Sequence, residues 1–202
     1  MKVLTAAQMR EVDRLSTQRY AIPSLQLMEN AGAGVVRYLE NNFADLNRRE
    51  IVVVCGKGNN GGDGFVAARL LRERGARPVA ILCAGPEEMT GDALVNRDLY
   101  RRAGGEITFA RNLDEWKEAN RLLARANVIL DALLGTGLRG AVEGWLGEVI
   151  NDINARQGIA RIVAVDIPSG LAADTGEVAG PAVDADVTVT FTAPKTASSQ
   201  PR

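Results

Sequence analysis

IVVVCGKGNNGGDG, residues 51–64, decides the fold: five apolar residues run without a polar break into nine that contain five glycines. A β-branched run this uniform fits a strand buried on both sides in a parallel sheet, and the pattern FVAARLLRERG behind it fits a helix. The stretch therefore predicts strand, tight loop and helix, which is half of a βαβ unit. Gly56, Gly58 and Gly61 stand at G-x-G-x-x-G spacing, so the backbone can turn sharply and bring N–H groups to a pyrophosphate at the helix N-terminus. Asn59, Asn60 and Asp63 add small polar groups among the glycines, more than a turn alone requires.

Outward from this stretch the pattern alternates. A helix over 63–74 is followed by strand 78–84, helix 91–103, strand 106–109, helix 113–125, strand 127–131, helix 142–155, and strands 161–165 and 186–191. Repeated βα alternation implies an α/β fold of three layers, Rossmann-like, with a mostly parallel sheet and helices on both faces. Asn112 with Glu115, and Thr90, are placed to cap two of the helices. Upstream, Thr5 and Gln8 form a capping box for a helix over 6–19, and Pro23 and Ser24 open a second. In that second helix the small residues Ala31, Gly32, Ala33 and Gly34 favour close helix packing, while Met28, Glu29 and Asn30 are available to a site. No internal repeat or linker appears, so residues 1–202 read as one domain with a disordered tail over about 196–202.

Composition narrows the chemistry. Lysine and arginine number 24 against 25 acids, which gives no overall field for nucleic acid or an anionic membrane. The pairs Arg48-Arg49 and Arg101-Arg102 are short and read as solvated faces. No apolar run is long enough to span a bilayer and the first residues lack a signal-peptide core, so the expected setting is cytoplasmic. Cys55 and Cys83, embedded in apolar strands, read as buried thiols rather than a disulfide or zinc site. Histidine is absent, which removes Ser-His triads and His-ligated metals; acid–base work falls to carboxylates, Lys, Tyr or water.

Two further apolar runs end in an aspartate: ANVILD at Asp131 and RIVAVD at Asp166. In a parallel sheet the carboxyl ends of the strands share one edge, so loops 56–64, 131–140 and 166–176 would meet on one rim. A carboxylate closing a buried strand needs a cation, hydrogen-bond donors or a ligand to offset its desolvation. A dehydrogenase reading is disfavoured because PVAILCA, residues 78–84, ends without the Asp or Glu that would meet an adenosine ribose. The Gly-Lys-Ser/Thr ending of a P-loop is also missing, and Lys57 reads as a surface lysine.

The blocks ENAG (29–32), GKGNNGGDGFVAARLL (56–71), DALLGTGLRG (131–140), DIPSGL (166–171), DTGEV (174–178) and TVTFTAPK (188–195) together resemble the NAD(P)H-hydrate epimerase family, the YjeF-type amino-terminal domain. The resemblance implies an isomerase of nicotinamide cofactor repair that interconverts the R and S epimers of NADH hydrate and NADPH hydrate, and it implies a bound potassium ion. Carried over by motif, the hydrate would lie against Asn59, Asn60, Gly61, Gly62 and Asp63, against Gly135, Thr136, Gly137, Leu138, Arg139, Gly140 and Ala141, and against Asp166. Potassium would take Asn60, Asp131 and Ser169, an oxygen donor set suited to a hard cation. Asp166 is the catalytic candidate, since an aspartate ionised at neutral pH suits charge stabilisation and base work. The resemblance also implies a homodimer, for which the amphipathic N-terminal helices offer a contact surface, and an S-specific NAD(P)H-hydrate dehydratase as functional partner, fused to this domain in longer chains. Lys195 ends the last block and receives no role. The competing reading is a non-catalytic nucleotide-binding module on the same fold.

Overall fold

Side chains of a strand alternate between the two faces of its sheet, and residues 51–55 show what that does here. Ile51, Val53 and Cys55 enter one apolar core, Val52 and Val54 the other, and all five are buried. The computed structural model, which describes residues 4–138 and 140–191, builds its sheet around this strand, β1 (Ile51–Cys55). The others are β2 (Val79–Leu82), β3 (Glu106–Phe109), β4 (Val128–Ala132), β5 (Arg161–Val165) and β6 (Val187–Val189). Their order is β3-β2-β1-β4-β5-β6. Every neighbouring pair is parallel, so among the described residues the sheet expected to be mostly parallel is wholly so.

The helices are α1 (Ala6–Tyr20), α2 (Ser24–Asn42), α3 (Asn59–Glu73), α4 (Gly91–Arg102), α5 (Leu113–Ala119) and α6 (Trp145–Asn154). One face of the sheet is covered by α2, α3 and α4, through Leu39, Phe65, Leu71 and Tyr100. The opposite face is covered by α5, the 3-10 turns of Asn120–Arg125 and α6, through Trp116, Leu123, Ile150 and Ile153. The polar ends of the large buried rings are satisfied: Tyr100 donates to Pro78 O at 2.6 Å and Trp116 Nε1 to Asp152 Oδ2 at 2.7 Å. Among the described residues no helix is long and apolar enough to cross a membrane.

Local differences from the sequence reading have physical causes. The helix expected from 63 begins at Asn59, because its glycines serve packing inside the first turns rather than a turn before them. The helix expected over 113–125 is α-helical to Ala119 and then tightens to 3-10 geometry. Gly144, at φ +66°, delays the helix expected from 142 until Trp145. Asn112 accepts from Glu115 N as a cap should, whereas Thr90 occupies the cap position of α4 without a side-chain bond. The capping box of α1 forms in full between Thr5 and Gln8. Lys195 and the tail over 196–202 lie outside the described residues.

Candidate active site

From β1 the chain proceeds to β2 on one side, and from β4 to β5 on the other, so the carboxyl ends of these two central strands diverge and open a crevice. The loops that flank it touch through their backbones. Gly56 N–H donates to Ala132 O at 3.0 Å. A Cβ at Gly56 would stand 1.9 Å from Leu133 O, and one at Gly61 would stand 1.9 Å from Gly56 O. Only glycine permits that approach.

Side chains complete the connection. Asn60 Nδ2 donates to Leu134 O at 2.8 Å, Leu134 N donates to Ser169 Oγ at 2.8 Å, and Ser169 N donates to Asp131 Oδ2 at 2.8 Å. Ser169 Oγ also lies 2.5 Å from Asp131 Oδ1, which accepts from Leu133 N at 3.2 Å. Asn60, Asp131 and Ser169 therefore form one contiguous group around Leu134. Asp131 and Ser169 are wholly buried. Burial pushes the Asp131 carboxyl up to about 6, against the opposing pull of the Ser169 hydroxyl and the Ser169 and Leu133 amides. Asn60 Oδ1 is buried with no hydrogen-bond partner. A buried carboxylate that resists ionisation beside an unpaired amide oxygen is a donor set that a hard monovalent cation would relieve. Among the described residues no cluster of three or more Cys, Asp or Glu could hold a metal, so a cation here would join the single Asp131 carboxylate to amide, hydroxyl and backbone oxygens.

Above this group the crevice widens to a cleft of about 1310 Å³, larger than the roughly 300–1,000 Å³ usual for drug-sized ligands and roomy enough for a dinucleotide. Asn59, Asn60 and Asp63 line it from α3, Gly135, Thr136, Gly137 and Leu138 from the loop after β4, and Asp166 from the end of β5. Asp131 and Ser169 lie beneath its floor. Gly61 and Gly62 do not line the cleft; a Cβ at Gly62 would meet Met28 Sδ at 2.7 Å and Ala93 Cα at 2.9 Å, so this glycine serves the packing of α3 between α2 and α4. Gly140 and Ala141 also fall outside the lining, Ala141 lying against Gly180. Arg139 is outside the described residues.

Asp166 is half-buried and adopts φ +67°, a left-handed conformation that costs an L residue about 1 kcal/mol and that Asp tolerates better than most. The turn aims its carboxylate toward β6: Thr190 Oγ1 and Phe191 N each donate to Asp166 Oδ1 at 3.4 Å, and Asp166 N donates to Val189 O at 2.8 Å. Strain at the end of an inner strand, facing a cleft, is where functional residues concentrate.

Several cleft residues escaped the sequence reading. Met9, Arg10 and Asp13 of α1 and Arg37 of α2 form one wall, and Glu88 and Arg111 stand on the side of β2 and β3. Helical periodicity shows that α1 has two faces but not which crevice either will roof. Of the three candidates on α2, Met28 and Asn30 reach the cleft, whereas Glu29 pairs with Arg69. Gly32 packs against Val66 and Ala67, as expected of a close helix contact, while Ala31 and Gly34 border the cleft. Cys55 and Cys83 are free and buried, and desolvation raises both thiols away from reactivity.

Comparison with known proteins places this geometry. The family model described as the YjeF-related protein N-terminus matches residues 24–197. An NAD(P)H-hydrate epimerase from Limosilactobacillus fermentum is 41% identical over 199 residues, 96% of this chain and 88% of that protein. A bifunctional NAD(P)H-hydrate repair enzyme from Moorella thermoacetica is 45% identical over 196 residues, 96% of this chain but 37% of that protein, so the chain spans well under half of this bifunctional relative. The crystal structure of yeast YNL200c superposes with a TM-score of 0.84 at 26% identity, covering 100% of this chain and 85% of the yeast one. With the family model running from the second helix past the last strand, the chain belongs to the family of the YjeF-related protein N-terminus.

Proposed function

We infer that the chain is an NAD(P)H-hydrate epimerase, which interconverts the R and S epimers of hydrated NADH and NADPH. A likeness of 41% identity along 96% of the chain to a relative of that name supports the reading. The single observation that carries it at the level of residues is the junction of three strand ends. Asn60, Asp131 and Ser169 are knitted through Leu134 below a cleft, and Asp166 stands on its rim.

The reaction needs modest machinery. The carbon that bears the hydroxyl also bonds the ring nitrogen, so the C–O bond breaks as the nitrogen lone pair forms an iminium. The hydroxyl takes a proton and leaves as water. Water then adds to either face of the planar ring and returns a proton. Asp166 is assigned to the stabilisation of the iminium charge and to the proton on the re-entering water, work commonly worth about 10² to 10⁴ in rate. The Thr190 and Phe191 donors fix the orientation of its carboxylate against the end of β6 at the edge of the cleft, and Asn59, Asp63 and the loop of Gly135, Thr136, Gly137 and Leu138 supply polar contacts for the cofactor.

Potassium fits the residues beneath, and the unpaired Asn60 Oδ1 is the observation that supports it. Asn60, Asp131 and Ser169 would hold the ion, which would supply a fixed charge that neutralises the Asp131 carboxylate and locks the loops. An S-specific dehydratase is the functional partner assigned to the product. A homodimer through α1 and α2 is the assembly we assign, because Leu15, Tyr20 and Leu25 are exposed there. The activity is tested by supplying the R hydrate together with an S-specific dehydratase and following NADH. Restoration of NADH that depends on the chain is expected; a chain that leaves the R hydrate untouched is a binding module instead.

A further inference from the structure

β2 ends at Leu82 without a carboxylate, yet the structure returns one to the same end of the sheet. After Leu82 the backbone makes a single 3-10 turn, Pro86–Glu88, and Glu88 comes to line the cleft beside Lys57 of the glycine loop. Glu88 Oε1 accepts from Gly85 N at 2.8 Å, and Oε2 lies 2.7 Å from Lys57 Nζ. Each oxygen keeps a second lone pair for a ligand hydroxyl. The Lys57 ammonium and the Gly85 amide hold this carboxyl below the usual range, so it is ionised at neutral pH.

Asp166 follows β5 and Glu88 follows β2, on opposite sides of the divergence between β1 and β4. A dinucleotide lying across that divergence with its nicotinamide at Asp166 brings its adenosine half to Glu88. Lys57, Arg97 and Arg111 are the described cations on that side. Lys57 is taken by Glu88, Arg97 by Asp98 and Pro86 O, and Arg111 by Glu115, while Glu87 and Asp92 add two more acids nearby. Three paired cations against five acids leave that end of the cleft negative.

We propose that Glu88, positioned by Gly85 and Lys57, accepts the hydroxyls of the adenosine ribose and makes the chain favour NADH hydrate over NADPH hydrate. The inference deepens the epimerase reading and rests on it for the direction in which the cofactor lies. A 2′-phosphate would set two negative charges against Glu88, whereas a free 2′-hydroxyl donates to it.

ADP-ribose and 2′-phospho-ADP-ribose isolate this half of the ligand, and calorimetry on the full chain reads both without turnover. Wild-type protein should bind ADP-ribose about 10-fold more tightly, as one charge-assisted hydrogen bond warrants. Glu88→Gln should reduce that preference to about 3-fold or less, mainly by tighter binding of the phosphorylated ligand, and Lys57→Met should widen it. No preference in the wild type overturns the proposal. So does an unchanged ratio in Glu88→Gln, including an equal loss for both ligands, which would mark Glu88 as a loop brace. A shifted ratio in a protein that fails to epimerise the R hydrate would uphold the ribose assignment and sink the enzymatic one.

Discussion

Asp131 concentrates the electrostatic argument in one side chain. Its carboxyl titrates near 6 when folded, against an ordinary value of 3.8, so between about pH 4 and 6 the folded chain binds a proton that the unfolded chain has released. Stability from this residue is therefore full below about pH 4 and lost as pH rises through about 6, on the order of 3 kcal/mol. In buffer free of small cations, melting temperature should fall across that window, Asp131→Asn should flatten the fall, and potassium chloride should restore the wild type above pH 6. A melting curve equally steep in Asp131→Asn would assign the slope to other groups. Asn60→Ala, which deletes the unpaired Oδ1 together with the Nδ2 donor to Leu134 O, should abolish the potassium response and cost about 1 kcal/mol in cation-free buffer; an unaltered response would remove Asn60 from the ion site.

At the scale of elements, the site depends on how closely loops and helix ends approach. Gly56→Ala would set a methyl group against Leu133 O, a backbone atom that cannot rotate away. We expect a loss of about 1–3 kcal/mol in denaturant unfolding together with loss of turnover, the cost usual for overpacking. A near-neutral variant would show that the two loops are not in register. Asp174 accepts from Ala6 N at 2.5 Å and so caps the helix whose Met9, Arg10 and Asp13 form a wall of the cleft. Asp174→Ala should cost about 1 kcal/mol and raise KM more than it lowers kcat; an unchanged KM would separate α1 from ligand binding. How much of this was legible varied with the source of the information. β1 and β5 were readable to the residue because an unbroken apolar run has one periodicity and sharp ends. The start of α3 was not, since glycines that signal a turn locally are here demanded by neighbours distant in sequence. The rim shared by the Asp131 and Asp166 loops followed from parallel strand order, whereas the acid missing from the end of β2 arrived six residues later through a turn that no local pattern announces.

Considered as a whole molecule, the chain has a sheet covered on both faces by helices, and the helix pair α1 and α2 leaves three large apolar side chains exposed. Tyr20 is 68% exposed, and Leu15 and Leu25 are exposed in the same pair of helices. If this surface joins two copies, Tyr20→Glu should shift the chain from dimer to monomer in sedimentation while the fluorescence of Trp116 and Trp145, both on the opposite side of the sheet from α2, stays native. A wild-type monomer at micromolar concentration would contradict the assembly. Arg10 and Asp13 come from this helix pair, so dissociation should also weaken cofactor binding.

If the junction of three strand ends sets the Asp166 carboxylate beside the reacting carbon, removing that charge must slow epimerisation itself. With potassium present and native circular dichroism established, Asp166→Asn should lower by at least about 100-fold the rate at which R hydrate becomes available to an S-specific dehydratase. Turnover within a few-fold of the wild type would contradict it.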